Sequence, residues 1–308
     1  MIKPKALSEG DTIGIVAPAS PVEELASNQA KEAVRSLGFK VKMGESCFAR
    51  HGYLAGNDLL RARDLEKMFL DSDVDGILCL RGGYGSARLI DYLDFDAIAK
   101  APKIFAGYSD ITALHIALQN RCGFVTFHAP MAASDFKEGI DKWSLKSFKE
   151  CLMTSCKKRY LSNPPGEEIY TLVRGKAKGL LVGGNLAVIC ATLGTYDEIE
   201  TKGRILFLED TGEEPYRIDR MLTQLKQAGK LSDANGIVLG DWNNCRVDGE
   251  SLSLEEIFQE IIVPLDKPTI HNLKAGHCSP KISLPLGVEV TLDADKRTLM
   301  LEEEGTAA

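Results

Sequence analysis

Three kinds of residue in this chain have side chains suited to hydrolysis: a serine at a turn, a few histidines, and adjacent acids ending an apolar run. Within residues 103–118, KIFAGYSDITALHIAL, Ile104-Phe105-Ala106 reads as a short buried strand, and Ile111, Leu114, Ala117 and Leu118 recur at helical spacing. Ser109 therefore falls at a strand-to-helix turn, beside the first unpaired N–H groups of a helix, where developing negative charge is stabilised. That seat suits a nucleophile, and it equally suits a serine that only caps the helix.

An activated serine needs a base in hydrogen-bond reach and a carboxylate that fixes the base's tautomer. The chain has five histidines. His115 lies inside the helix that follows Ser109, His51 in a polar loop, and His128 and His271 at or within strand-like segments. His277, in Lys274-Ala275-Gly276-His277-Cys278, has the backbone freedom to enter a cleft and is slightly favoured. Glu209 and Asp210 follow a strong apolar strand, and either fits an orienting, a capping or a surface role. The glycine-rich turn Arg81-Gly82-Gly83-Tyr84-Gly85-Ser86 is compatible with an oxyanion hole, a phosphate site or a plain tight turn. It lacks GxGxxG spacing.

The elements needed to position these residues form an alternating series. Strands are predicted at residues 12–17, 39–43, 74–80, 104–106 and 124–127, the last just before His128-Ala129-Pro130. Between them a helix capped by Ser20, with Pro21 in its first position, runs to about Leu37, and Asn57-Asp58 opens another through Leu70. The β-α-β alternation implies a parallel sheet with right-handed crossovers, whose carboxyl edge carries both the glycine turn and Ser109. Residues 143–153 read as a closing helix, and 162–167 as a linker on composition. Beyond it the pattern is mixed α/β. Helices are expected at 186–193 and 216–228, the latter with Ile218, Met221, Leu222 and Leu225 on one face. Strands are expected at 204–208, 236–239 and 268–273, followed by a hairpin of 288–292 with 297–301.

At 308 residues the chain is long enough for two domains, and 44% hydrophobic content can fill their cores. A net charge of −7 and the lack of basic blocks leave no electrostatic case for nucleic acid as a partner. The first apolar run is too short for a signal h-region or a membrane span, so the expectation is a cytoplasmic protein with no membrane partner. The eight cysteines, at 47, 79, 122, 151, 156, 190, 245 and 278, form no CxxC pair and read as reduced, mostly core thiols. Neither HExxH nor a Walker A loop is present.

Taken in order, LRGGYGSARLIDYLDFD, GYSDIT, LVGGNL, LFLEDTGEEPYRIDRML and AGHCSPKISLPLG resemble the LD-carboxypeptidase family of serine peptidases, over nearly the whole chain. The resemblance implies a flavodoxin-like parallel α/β domain at 1–160, a linker at 161–175 and a smaller mixed α/β domain at 176–308, with the active site in the cleft between them. It implies a triad of Ser109 in GYSD as nucleophile, Glu209 in LFLED as orienting carboxylate and His277 in AGHC as general base. The oxyanion donors are then expected to be the backbone N–H groups of Asp110 and Gly83. GYSDI departs from the GxSxG elbow in its last position, so the solution is analogous to that of the α/β hydrolases. The family uses no metal or cofactor and acts on muropeptides during cytoplasmic cell-wall recycling, removing D-alanine from the L-centre of a diamino acid. It also suggests a homodimer.

Two other functions compete. A sister branch cleaves aminoacyl-nucleotide antibiotics of the microcin C type, stacking the base on an aromatic side chain. Here the interdomain stretch offers Tyr160 and Tyr170, whereas Trp143 and Trp242 lie outside it, which favours the carboxypeptidase branch. The other is a non-catalytic protein that binds a small ligand in the cleft, against which all three triad positions argue. Arg81, Arg217 and Arg220 are available cations for a terminal carboxylate, although ion pairing is the commoner use of arginine.

Overall fold

The computed structural model describes residues 1–154, 158–246 and 249–308. The chain divides into two compact units. One comprises 1–155, 283–285 and 305–308, and the other 156–282 and 286–304.

In the first unit, strands β1 (Thr12–Val16), β2 (Lys40–Met43), β3 (Gly76–Cys79), β4 (Ile104–Gly107) and β5 (Thr126–His128) alternate with helices. These are α1 (Glu24–Ser36), α2 (Asp58–Leu70), α3 (Phe95–Ile98), α4 (Thr112–Cys122) and, after β5, α5 (Lys142–Leu152). The strands pair in parallel in the order 2-1-3-4-5, which is the flavodoxin-like doubly wound order. β3, β4 and β5 are buried along their whole length, as strands covered by helices on both faces must be. Phe69 of α2 meets Phe105 of β4 and Phe124 in this core, with ring centroids 6.0 and 5.9 Å away. Strand order reverses at β1, so the loops leaving β1 and β3 flank the switch point where such sheets bind ligands.

Several boundaries differ from expectation for tertiary reasons. Asn57 does cap α2, accepting from the Leu60 N–H at 2.8 Å. Ser20 and Pro21, in contrast, do not start α1, which begins at Glu24. The Ser20 hydroxyl instead accepts from the Tyr84 N–H at 3.2 Å, and its own N–H reaches the Gly82 carbonyl at 3.4 Å. Its polar groups are thus spent on the glycine turn. Phe124 bridges to Ile2, and β5 proper starts at Thr126.

The second unit carries a larger mixed sheet. In chain order it contains β6 (Arg159–Leu161), β7 (Tyr170–Val173), β8 (Lys176–Asn185), α6 (Leu186–Thr192), β9 (Ile205–Thr211), α7 (Pro215–Gln227) and α8 (Lys230–Asp233). There follow β10 (Gly236–Asn243), α9 (Leu254–Ile261) and β11 (Thr269–His271). A short strand, β12 (Leu284–Leu286), joins the first unit's sheet next to β5, and β13 (Glu289–Asp293) and β14 (Thr298–Leu301) form the expected hairpin. The sheet order is 6-14-13-8-9-10-11-7, with β8 to β11 parallel at the centre and antiparallel strands outside. Residues 161–175, expected as a linker, supply the end of β6 and all of β7, so only the 162–169 loop and the 174–175 turn are irregular connection. α7 buries Ile218, Met221, Leu222 and Leu225, the face its periodicity specifies.

Cys47, Cys79, Cys122, Cys151, Cys190 and Cys245 are buried free thiols and Cys278 is half-buried, while Cys156 lies outside the described residues. Burial pushes the Cys190 thiol up to about 12, which keeps it protonated and inert. No described helix is long and apolar enough to cross a membrane.

Candidate active site

Ser109 follows β4 by two residues and opens a single 3₁₀ turn, Ser109–Ile111, that leads into α4. Its φ is +65°, a left-handed conformation that a side chain disfavours. Neither this turn nor α4 has a side-chain cap, so Ser109 is the strained first residue of the turn instead of a helix cap. A serine on a strained strand-to-helix turn is the arrangement that presents a nucleophile above a parallel sheet.

The glycine turn lies against it. A Cβ built on Gly82 would stand 2.8 Å from Ser109 Cβ and 3.0 Å from its Oγ, so only hydrogen fits there. Gly83, at φ +118°, faces Ser20 so closely that a side chain would overlap it. The turn is fastened at three points. Ser20 holds Gly82 and Tyr84, as described above. The Ser86 N–H donates to Asp110 Oδ2 at 2.8 Å, and the Ser86 hydroxyl donates to the Asp110 carbonyl. Arg61, fully buried on α2, donates from Nη1 to the Gly85 carbonyl at 2.9 Å and also to the Pro18 carbonyl, while its Nη2 pairs with Asp58. Burial raises the pKa of Asp110, although the bonds from Ser86 and the charge of Arg61 oppose the shift.

Behind the turn that carries Ser109, His115 is buried on α4 with Nε2 2.9 Å from the Gly107 carbonyl. Burial drives its pKa down to about 3, so the ring is neutral and donates from Nε2. It anchors the turn and is no base. His128 ends β5 against the Tyr108 ring, with centroids 5.7 Å apart. His51 bridges to Leu54 in a loop, and His271 ends β11 beside Tyr170.

In the second unit, β9 runs on through both acids to Thr211. They point to different partners, as neighbours on an extended strand must. Glu209, with no exposed surface, accepts from His277 Nδ1 at 2.7 Å. His277 itself keeps 17% of its side chain exposed, so its ring has a buried side and an accessible one. Gly276, at φ +121°, lies directly on the acid. A Cβ there would come within 2.6 Å of Glu209 Oε2 and 3.0 Å of its Cβ. Asp210 turns toward α6, accepting from Asn185 Nδ2 at 2.9 Å and from the N–H groups of Ala187 at 2.9 Å and Thr211 at 2.8 Å. Burial raises its pKa to about 6, with the Glu209 charge adding to the rise.

The structure thus groups Ser109, Asp110 and Gly83 in the first unit and Glu209 with His277 in the second. Of the candidate cations, Arg217 faces Glu213 and Glu214 on or next to its own helix, and Arg81 donates from Nε to the Gly82 carbonyl at 3.2 Å. Sequence reasoning missed Arg61, Ser86 and Asn185. Arg61 left a signal, since it shares an i, i+4 face with buried Leu65 on an otherwise apolar stripe. Among the described residues no three His, Cys, Asp or Glu side chains are grouped to hold a metal ion.

Comparison with known proteins identifies the family of the chain. Residues 13–129 match the LD-carboxypeptidase N-terminal domain and 178–292 the LD-carboxypeptidase C-terminal domain. The probable murein peptide carboxypeptidase of Bacillus subtilis is 44% identical, over 97% of this chain and 94% of that protein. Among solved structures, muramoyltetrapeptide carboxypeptidase from Oxalobacter formigenes has a TM-score of 0.83 at 30% identity, over 94% of this chain and 97% of that one. MccF in complex with glutamyl sulfamoyl guanosine has a TM-score of 0.93 at 25% identity, covering 100% of both chains.

Proposed function

Because this chain belongs to the LD-carboxypeptidase family, we propose that it is a serine peptidase that removes D-alanine from murein tetrapeptides, with Ser109, Glu209 and His277 as its triad. The observation that carries the reading is the 2.7 Å bond between a fully buried Glu209 and Nδ1 of a partly exposed His277. A carboxylate so placed fixes the tautomer that leaves Nε2 as the base, and stabilises the imidazolium when it forms.

In the proposed reaction Ser109 Oγ attacks the carbonyl carbon of the diamino acid as its proton passes to His277 Nε2. The oxyanion is received by the N–H groups of Asp110 and Gly83. Collapse breaks the amide bond, His277 returns the proton to the departing amine of D-alanine, and water then hydrolyses the acyl-serine by the same route in reverse. The chemistry requires Ser109 Oγ and His277 Nε2 to meet during turnover. Neither metal nor cofactor takes part. On the same reading the protein acts in the cytoplasm, in peptidoglycan recycling, as a homodimer.

A second reading follows from the likeness to MccF, whose complex holds an aminoacyl nucleotide analogue. The two are separated by incubating purified protein with a murein tetrapeptide and, in parallel, with a microcin C-type aminoacyl nucleotide. D-alanine release that is unaffected by EDTA supports the carboxypeptidase. Cleavage of the nucleotide alone moves the chain to the immunity branch, and inactivity on both leaves a ligand-binding protein.

A further inference from the structure

Beside β10 and β11 the second unit has an open cavity of about 390 Å³ that the proposed chemistry does not use. Its walls are aromatic and its charge is negative. Tyr170 and His271 lie with centroids 5.3 Å apart and planes 32° from parallel, and Trp242 meets Phe258 at 5.4 Å. The Trp242 indole N–H is buried without a hydrogen-bond partner among the described residues.

Asp241 and Glu255 are the carboxylates on the cavity wall. Glu255 stands in the first turn of α9, and no ion pair engages it among the described residues. Asp241 meets Lys274 Nζ at 3.4 Å, but that ammonium is shared with Glu167 at the same distance. Burial lowers the pKa of His271, although the charge of Glu255 opposes the shift, so the ring adds little positive charge. The cavity therefore presents π faces together with negative charge that Lys274 only partly offsets, which is the environment that attracts an organic cation. A metal ion is a poor match, since no three donor side chains are grouped there among the described residues.

The same wall adjoins the strand and the loop that carry the acid–base pair. β9 and β10 pair Leu208 with Leu239 and Asp210 with Trp242, so a bulge sets both Gly240 and Asp241 opposite Glu209. Asp241 also holds the loop that leads to His277, its N–H donating to the Ala275 carbonyl at 3.0 Å. We propose that this cavity is a binding site for a primary organic ammonium, seated between the Trp242 and Tyr170 rings with Asp241 and Glu255 as its counter-ions. The ammonium has two sources, a free small amine or the amino group of a diamino acid in the substrate; the second rests on the function proposed above.

The test uses the full-length protein with Trp143→Phe, which leaves Trp242 as the sole tryptophan. Titration with n-pentylamine at neutral pH and low salt is expected to give a saturable change in indole emission. n-Pentanol, of similar shape but uncharged, is expected to bind at least about tenfold more weakly. Asp241→Asn and Glu255→Gln together should weaken the amine about tenfold and leave pentanol unchanged. Calorimetry on the wild-type protein supplies the same comparison if the fluorescence variant does not fold. Pentanol binding as well as pentylamine, a double variant as tight as wild type, or no saturable signal each overturns the proposal. Substrates with a free or acetylated side-chain amine then separate the sources. A KM that rises on acetylation only in the protein with both carboxylates assigns the amine to the substrate, and an unchanged KM assigns it to a free ligand. Amine binding is read without turnover, so its failure is distinct from loss of D-alanine release.

Discussion

Ser109 and Glu209 are both delivered by the carboxyl ends of buried parallel strands, β4 and β9, yet the chain secures them by different means. Around Ser109 the work is done by backbone shape: a residue at φ +65°, a glycine whose missing side chain makes room for the serine, and polar clamps from Ser20, Arg61 and Asp110. Around Glu209 it is done by charge: one carboxylate without exposed surface, one imidazole at 2.7 Å, and Gly276 packed against the carboxylate. The first region should therefore be most sensitive to added volume, and the second to neutralisation without change of shape.

The comparison is broken most severely at the nucleophile. Ser109→Ala is expected to fold normally and to lose D-alanine release by about four to six orders of magnitude. Folded alanine protein with near wild-type turnover would remove the serine mechanism. Glu209→Gln keeps the shape of the buried side chain and deletes its charge, so kcat should fall by about 10²- to 10⁴-fold while the melting temperature changes little. Asp210→Asn is the matched control. Its carboxylate accepts from Asn185, Ala187 and Thr211, all away from His277, so it should cost stability more than kcat. A reversed pattern, with 210 governing kcat and 209 silent, would shift the orienting role by one residue. Gly82→Ala places a methyl group 2.8 Å from Ser109 Cβ, and the displacement that follows should lower kcat by about 10- to 100-fold. If that variant turns over like wild type, the turn is not rigid enough to orient an oxyanion donor.

The sequence exposed the first unit's strands well, because parallel strands buried on both faces are written as unbroken apolar runs such as Ile77-Leu78-Cys79. Asn57 was also legible as a cap, since its partner Leu60 is three residues away. Ser20 was misleading for the opposite reason. Its hydroxyl partner, Tyr84, is 64 residues distant, and no local pattern announces that contact. Glu209 and Asp210 look like strand terminators for the same cause: acids are costly inside a sheet unless distant groups satisfy them, as His277 and Asn185 do here. Arg61 shows in sequence only as a charge on an apolar stripe, and its role stays unread because the acceptors of its fully buried guanidinium include two loop carbonyls distant in the chain. The residues of the proposed triad could be named from motifs, whereas the clamps that hold them needed the fold.

The smallest expected effect concerns His115, which supports Ser109 from below without touching the chemistry. Its ring packs edge-on to Phe105, with centroids 5.4 Å apart, and its Nε2–H holds the Gly107 carbonyl. Burial lowers its folded pKa to about 3, against an unfolded value near about 6.5, so the folded state binds the proton less readily. The stability tied to the neutral ring is fully present above about pH 6.5 and is lost as pH falls through that value, at up to about 1.4 kcal/mol per pH unit. His115→Gln retains a donor for Gly107 but cannot titrate. Thermal melts of both proteins from pH 8 to pH 4.5 should therefore converge or cross on the acid side, the wild type losing more than the variant. Asp110, whose raised pKa acts in the opposite sense, titrates in both and largely cancels in the difference. Parallel curves across that range would mean that the ring is already solvated, and that the turn beneath Ser109 is looser than the Gly107 bond implies.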